Sequence, residues 1–201
     1  VWELRLPRAL LAAICGAGLG ICGAILQSLM RNPLADPFML GISSGASTGA
    51  VLVVVTGIGG ALTLSGGAFV GAVLAFALVL ALAAVSGGGQ DRVLLAGVAG
   101  TQLFSAATAI VVFSSADAQQ TRGVLFWLLG SLADRSLLHV AVCLPPLLLG
   151  CALVLSVRRG LDALALGEDV AASLGVDVAR LRLRIVVGTA LAVGAGVAVA
   201  G

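Results

Sequence analysis

From Pro37 to Gln90 the chain carries not one ionisable side chain. A bilayer core is crossed by roughly 20 apolar helical residues, and this Ala-, Val-, Leu- and Gly-rich stretch exceeds twice that length. The rest of the chain is built alike. Of 201 residues 60% are hydrophobic and 10% charged, whereas soluble domains carry about a quarter charged residues. The few charges are bunched rather than dispersed. The chain therefore reads as an all-α, polytopic transmembrane helix bundle, and soluble enzyme, nucleic-acid binder and disordered protein are set aside. Its net charge of +2 says little, because in a membrane protein the placement of charge between loops outweighs its sum.

Charged or turn-rich punctuation divides the sequence into six apolar segments of about one membrane helix each. They run from about Ala9 to Met30, Leu40 to Thr56, Gly67 to Val85, Val93 to Ser114, Leu137 to Val157, and Ile185 to the end. An even number of spans puts both ends of the chain on one side. Arginine placement sets the orientation, since the chain has no lysine. Arg31, Arg92, Arg158, Arg159, Arg180, Arg182 and Arg184 fall on one side and Arg5, Arg8, Arg122 and Arg135 on the other. The positive-inside rule makes the first group cytoplasmic and leaves Val1 and Gly201 facing outward. Gly16 and Gly20, Gly45 and Gly49, and Gly67 and Gly71 recur four apart, a small-xxx-small spacing that lets helices approach closely in lipid.

Cys15, Cys22, Cys143 and Cys151 lie in apolar runs without CxxC spacing and read as small packing residues. A single histidine, His139, leaves no histidine-based metal cluster. The chain opens on Val-Trp-Glu-Leu-Arg, without an initiator Met or a signal peptide, and closes in an apolar run. It is expected to be an internal fragment of a longer protein.

Three connections are more than plain loops. In Arg31-Asn32-Pro33-Leu34-Ala35-Asp36-Pro37 both Asn and Asp precede proline; residues before proline leave the helical region, so the first span stops here and a fixed turn follows. Between Arg158 and Arg184, Leu166, Val170 and Leu174 recur at i, i+4 and i+8, with Glu168 and Asp169 at the start and Gly175 as a stop. That predicts a short amphipathic helix over about 163–176 on the membrane face. Interfacial helices favour a basic polar face; this one is acidic, so a protein partner is as good a reading as lipid headgroups. The third connection holds Arg122 to Leu132, an apolar stretch too short to span. It predicts an outer interfacial or re-entrant helix over about 120–132, with Trp127 in the aromatic belt or near a solute vestibule.

Arg5 and Arg8 share a helical face. They serve either as snorkelling anchors or as bidentate receptors for carboxylates of an external partner. No paired acids within a span, no P-loop and no nucleophile with a base nearby appear in the sequence, so an energy source must be another subunit or an ion gradient. Ion-coupled carriers depend on intramembrane Asp, Glu or His, which these spans almost wholly lack; a non-transport scaffold remains the other rival.

Read together, these segments resemble the FecCD-type permeases, the membrane subunits of ABC importers for iron-siderophores, haem and cobalamin. The resemblance is carried by Arg5-Leu6-Pro7-Arg8, Gly23-Ala24-Ile25-Leu26-Gln27, the Arg31 to Pro37 connection and Leu40-Gly41-Ile42-Ser43-Ser44-Gly45-Ala46. Leu94-Leu95-Ala96-Gly97-Val98, Phe126-Trp127-Leu128-Leu129-Gly130-Ser131-Leu132, Ala165 to Ala171 and Leu174-Gly175-Val176 follow in order.

The resemblance implies a single transmembrane permease domain over 1–201, holding the second to seventh of ten spans, in a bacterial inner (plasma) membrane. It implies no enzymatic activity and no cofactor in this subunit, with ATP hydrolysis on separate ABC ATPase subunits. A second permease subunit, homodimeric or heterodimeric, and an extracytoplasmic solute-binding protein complete the set of partners, beside membrane lipid and without nucleic acid. By position, Arg5 and Arg8 would receive acids of the binding protein, and Leu166, Gly167, Glu168 and Asp169 would seat in the ATPase. Gly87, Gly88, Gly89, Gln90 and Asp91 would form a cytoplasmic gate, and Thr101, Gln102 and Ser105 would line the path. Ferric siderophore is the first expected cargo, with haem and cobalamin behind it.

Overall fold

The structure is a computed structural model that describes residues 5–58, 60–87, 90–115, 117–133 and 135–201. In hydrocarbon every backbone N–H and C=O must be satisfied within the protein, and the apolar runs answer that demand as helices. Among the described residues these are α1 (Arg5–Leu29), α2 (Ile42–Thr56), α3 (Ala61–Val85), α4 (Gln90–Ser115), α5 (Ala118–Leu129), α6 (Leu137–Ser156), α7 (Arg158–Ala165), α8 (Glu168–Ser173) and α9 (Val178–Ala200).

The long helices alternate in direction. Gly45 meets Gly71 and Ala75 while Gly49 meets Gly67, so α2 and α3 are antiparallel. Gly41 meets Thr101 and Thr48 meets Thr108, so α2 and α4 are parallel. Cys143 meets Ala195 and Gly150 meets Gly188, so α6 and α9 are antiparallel. The ends of α1, α3 and α6 thus share one end of the bundle with the starts of α4 and α9. Arg31, Arg92, Arg158, Arg159, Arg180, Arg182 and Arg184 gather there, and Arg5, Arg8, Arg122 and Arg135 lie at the other end. This is the partition expected from the sequence.

The core sits where α1, α6 and α9 meet α3. On α9 a run from Gly188 to Val199, broken only by the half-buried Leu191, is buried, because its Gly and Ala residues let neighbours close in: Gly194 faces Ala72 and Gly196 faces Cys15. All four cysteines are unpaired and buried, as packing residues should be, and the Cys143 thiol donates to the Ala195 carbonyl at 3.5 Å. His139 is 7% exposed and serves the start of α6, its Nδ1 accepting from the Ser136 N–H at 3.2 Å.

Among the described residues, five helices are long and apolar enough to cross a membrane: α1, α3, α4, α6 and α9. The remaining expected span differs. Its sequence, from Leu40 to Thr56, gives only the 15 residues of α2, about 22 Å of helix, preceded by a 3-10 turn over Pro37–Leu40. The reason is where α2 begins. Gly97 leaves no room for a side chain against the Met39 carbonyl, and a Cβ on Gly41 would lie 3.6 Å from the Thr101 backbone nitrogen. Thr101 is about three turns into α4, so the connection from Asn32 to Gly41 descends into the bundle before α2 starts. Local bonds satisfy its backbone: Asp36 Oδ1 accepts from the Phe38 N–H at 2.7 Å and Asn32 Oδ1 from the Leu34 N–H at 2.9 Å. Boundaries shift elsewhere too. The first helix starts by Arg5 and the last at Val178, so Arg5, Arg8, Arg180, Arg182 and Arg184 stand on helices rather than in loops.

Candidate functional site

The acidic connection does not form one helix over 163–176. It breaks at Gly167, whose φ of 126° and ψ of 153° suit glycine and hardly any other residue, into α7 and the six-residue α8. Glu168 and Asp169 open α8, and Asp169 is exposed at the positive end of the helix dipole, which suits an acid. Ala171 is wholly buried and fastens α8 to the bundle. The expected apolar stripe instead points away: Leu166 is 70% exposed, Val170 42% and Leu174 65%. Apolar side chains projecting at the arginine-rich end, beside an acid, form a surface fit for a protein groove.

At the opposite end, Arg5 and Arg8 are exposed in the first turns of α1. Cations at a helix N-terminus oppose the macrodipole, and among the described residues that first turn has no acid. At the same end of the bundle, α5 is shorter than a span and begins on a capping box in which Asp117 Oδ1 accepts from Gln119 and Gln120 N–H at 2.9 and 2.7 Å. Trp127 is 8% exposed, packed into the core rather than lying in an outward belt. The Ser131 N–H donates to the Ala200 carbonyl at 2.7 Å, which ties the end of α5 to the end of α9.

Of the expected gate residues, Gly88 and Gly89 lie outside the described residues. Gly87 has φ 92°, a left-handed conformation that favours glycine, and the flexible Arg92 guanidinium lies over it. Gln90 and Asp91 begin α4, and Asp91 is exposed in its first turn. Gly87, Gln90 and Asp91 stand at the arginine-rich end, just after α3 and at the start of α4.

The path candidates separate. Thr101 is half-buried against Gly41 and donates to the Gly97 carbonyl at 2.8 Å, whereas Gln102 and Ser105 are exposed on α4. None lines the groove of about 560 Å³ between α2, α3 and α4, whose walls include Gly45, Thr48, Gly49, Gly67 and Phe104. A polar junction unforeseen from the sequence stands beside it: the Thr48 hydroxyl donates to the Phe104 carbonyl at 2.9 Å and lies 2.8 Å from the Thr108 hydroxyl. Its only sequence signal is a threonine in each of two apolar helices, which does not reveal that they meet.

Comparison with known proteins agrees with this architecture. The FecCD transport family matches residues 1–201. The hemin transport system permease protein of Yersinia pestis is 39% identical over 207 residues, covering 100% of this chain and 62% of the relative. The cobalamin import system permease protein of Halobacterium salinarum is 37% identical over 202 residues, covering 100% and 54%. The ferric enterobactin transport system permease protein of Escherichia coli is 40% identical over 187 residues, covering 91% and 55%. A solved metal-chelate type ABC transporter in an inward-facing conformation superposes with a TM-score of 0.91 at 30% identity, covering 100% of this chain and 65% of that one. The chain belongs to the FecCD transport family and is a multi-pass membrane protein, of the inner membrane in bacteria. It spans between about half and two thirds of the length of these relatives.

Proposed function

We propose that this chain is part of the permease subunit of an ATP-driven ABC importer and forms one wall of the path for an iron-siderophore complex. The observation that carries the reading is the short α8, which opens on Glu168 and Asp169 and leaves Leu166, Val170 and Leu174 exposed at the arginine-rich end. An ATPase cleft would bury that stripe, and ATP-driven closure would move the bundle through it. The subunit itself hydrolyses nothing and holds no cofactor. Its remaining three spans, as well as the first, come from chain beyond these residues, for ten in all.

Exposed Gln102 and Ser105, midway along α4, support a second permease subunit, because polar groups in lipid favour a protein or water-lined face. Arg5 and Arg8 support docking of an acidic surface of a solute-binding protein outside the membrane. The relatives divide in name between hemin, cobalamin and ferric enterobactin. Ferric siderophore is placed first and haem or cobalamin second, and selection among them is assigned to the binding protein.

The test is co-purification of the full-length protein with its candidate ATPase, in wild type and in Glu168→Arg plus Asp169→Arg. Retention by wild type and loss in the folded variant is the expected result. Absence of ATPase from wild type would overturn the reading in favour of an ion-coupled carrier, and equal retention would remove α8 as the seat. Uptake of labelled ferric siderophore, haem and cobalamin into proteoliposomes bearing the complex then ranks the cargoes.

A further inference from the structure

The end of α1 breaks a rule of helix chemistry. The Asn32 N–H donates to the Gln27 carbonyl at 3.1 Å and the Arg31 N–H to the Ser28 carbonyl at 3.3 Å, the bond pattern of a Schellman ending. In that ending the left-handed position belongs to glycine; here it is Arg31, at φ 44°, the only non-glycine residue with positive φ among the described residues. A side chain held at a strained backbone position calls for a reason.

The reason lies 133 residues further on. Arg31 Nη2 donates to the Leu164 carbonyl at 2.6 Å. Leu164 is 3% exposed and its carbonyl, in the last turn of α7, also accepts from the Gly167 N–H at 3.0 Å. A guanidinium there satisfies a terminal carbonyl and complements the negative end of the α7 dipole. Arg31 therefore grips the residues immediately before the Gly167 elbow. On its other side it begins the Asn32 to Gly41 connection, which descends to the start of α2, and α2 in turn interlocks with α3 through its glycines and with α4 through Thr48.

We propose that Arg31 is a positioning residue that ties the α7–α8 elbow to the buried start of α2, so that displacement of α8 is delivered to the centre of the bundle. The inference rests on the reading of α8 as the coupling surface, but the tie itself is measurable without any partner.

The experiment compares wild type, Arg31→Gly and Arg31→Lys in the full-length protein in lipid nanodiscs. Glycine relieves the backbone at this position, so a purely local role predicts an unchanged or steadier end of α1. The tie predicts the opposite: amide exchange about tenfold faster in both 159–167 and 32–41, the scale of losing one charge-assisted hydrogen bond, with α3 and α9 unchanged. Arg31→Lys, which keeps a cation, should fall between the two. Faster exchange in only one of the segments, or in neither, would overturn the proposal.

With the ATPase present, transport in Arg31→Gly should fall about tenfold while ATP hydrolysis continues; parallel loss of both would also overturn it. If wild type retains no ATPase, the coupling reading fails and nanodisc exchange still decides the tie.

Discussion

The carbonyl oxygen of Gly67 occupies the place where a side chain on Gly49 would stand, and the Gly71 carbonyl does the same to Gly45. These two contacts bring the backbones of α2 and α3 together without intervening side chains. In lipid, where burial of apolar surface gives no drive between helices, such backbone proximity is a main source of adhesion. It also anchors α2, which is too short to be held by its own length across the membrane.

Gly49→Ala is accordingly expected to destabilise the protein by about 1–3 kcal/mol, the range for overpacking a filled site. Gly16→Ala is the contrast, since nothing lies within 4 Å of its added methyl group and alanine is the better helix former by up to about 1 kcal/mol. Thermal unfolding in detergent, with fluorescence-detected size exclusion, should lower the midpoint for the first and leave or raise it for the second.

Thr48→Val removes the hydroxyl that joins α2 to Phe104 and Thr108 of α4. The shape is kept and the bonds are lost, so the expected cost is about 0.6 kcal/mol, the average for hydrogen bonds between membrane helices. Thr48→Ser, which retains the hydroxyl, should recover most of it. The same unfolding assay reads both.

Gly167→Ala tests the elbow. The added methyl group meets nothing closer than Val170 Cγ2 at 3.9 Å, so any effect comes from backbone strain at φ 126°, about 1–3 kcal/mol. That strain falls at the junction of α7 and α8. Retention of a partner ATPase should fall several-fold while the unfolding midpoint of the bundle stays where it is; a lowered midpoint with normal retention would mean that the elbow serves stability instead.

Much of this fold was legible from where charge is missing. An uncharged run such as Pro37 to Gln90 has few stable states besides membrane helices, and the two X-Pro steps after Asn32 and Asp36 dictate a turn whatever surrounds them. The family, too, was readable, since Arg31 to Pro37 and Leu166 to Val176 are local patterns. The second span was misjudged in length because hydropathy measures apolarity and not depth: Leu40 is as apolar as a span residue but belongs to a turn already inside the bundle. The helix expected over 163–176 was broken by one glycine whose conformation is not encoded in periodicity. Trp127 was expected near lipid or solute and is buried, because α5 packs against α2 and its end is tied to the end of α9, both distant in sequence.

Apolarity and turn chemistry, then, are properties of neighbours in sequence, and they determined that the chain is a helical membrane bundle, where its helices break and on which side its arginines gather. Which glycines interlock, which face of α8 stays open and why Arg31 occupies a glycine's place were decided only by tertiary structure. Each depends on atoms from helices that are distant in sequence, where Gly45 meets Gly71, Thr48 meets Thr108 and Arg31 meets Leu164. Contact between such helices is set by the shape of the whole bundle, and no local pattern records it.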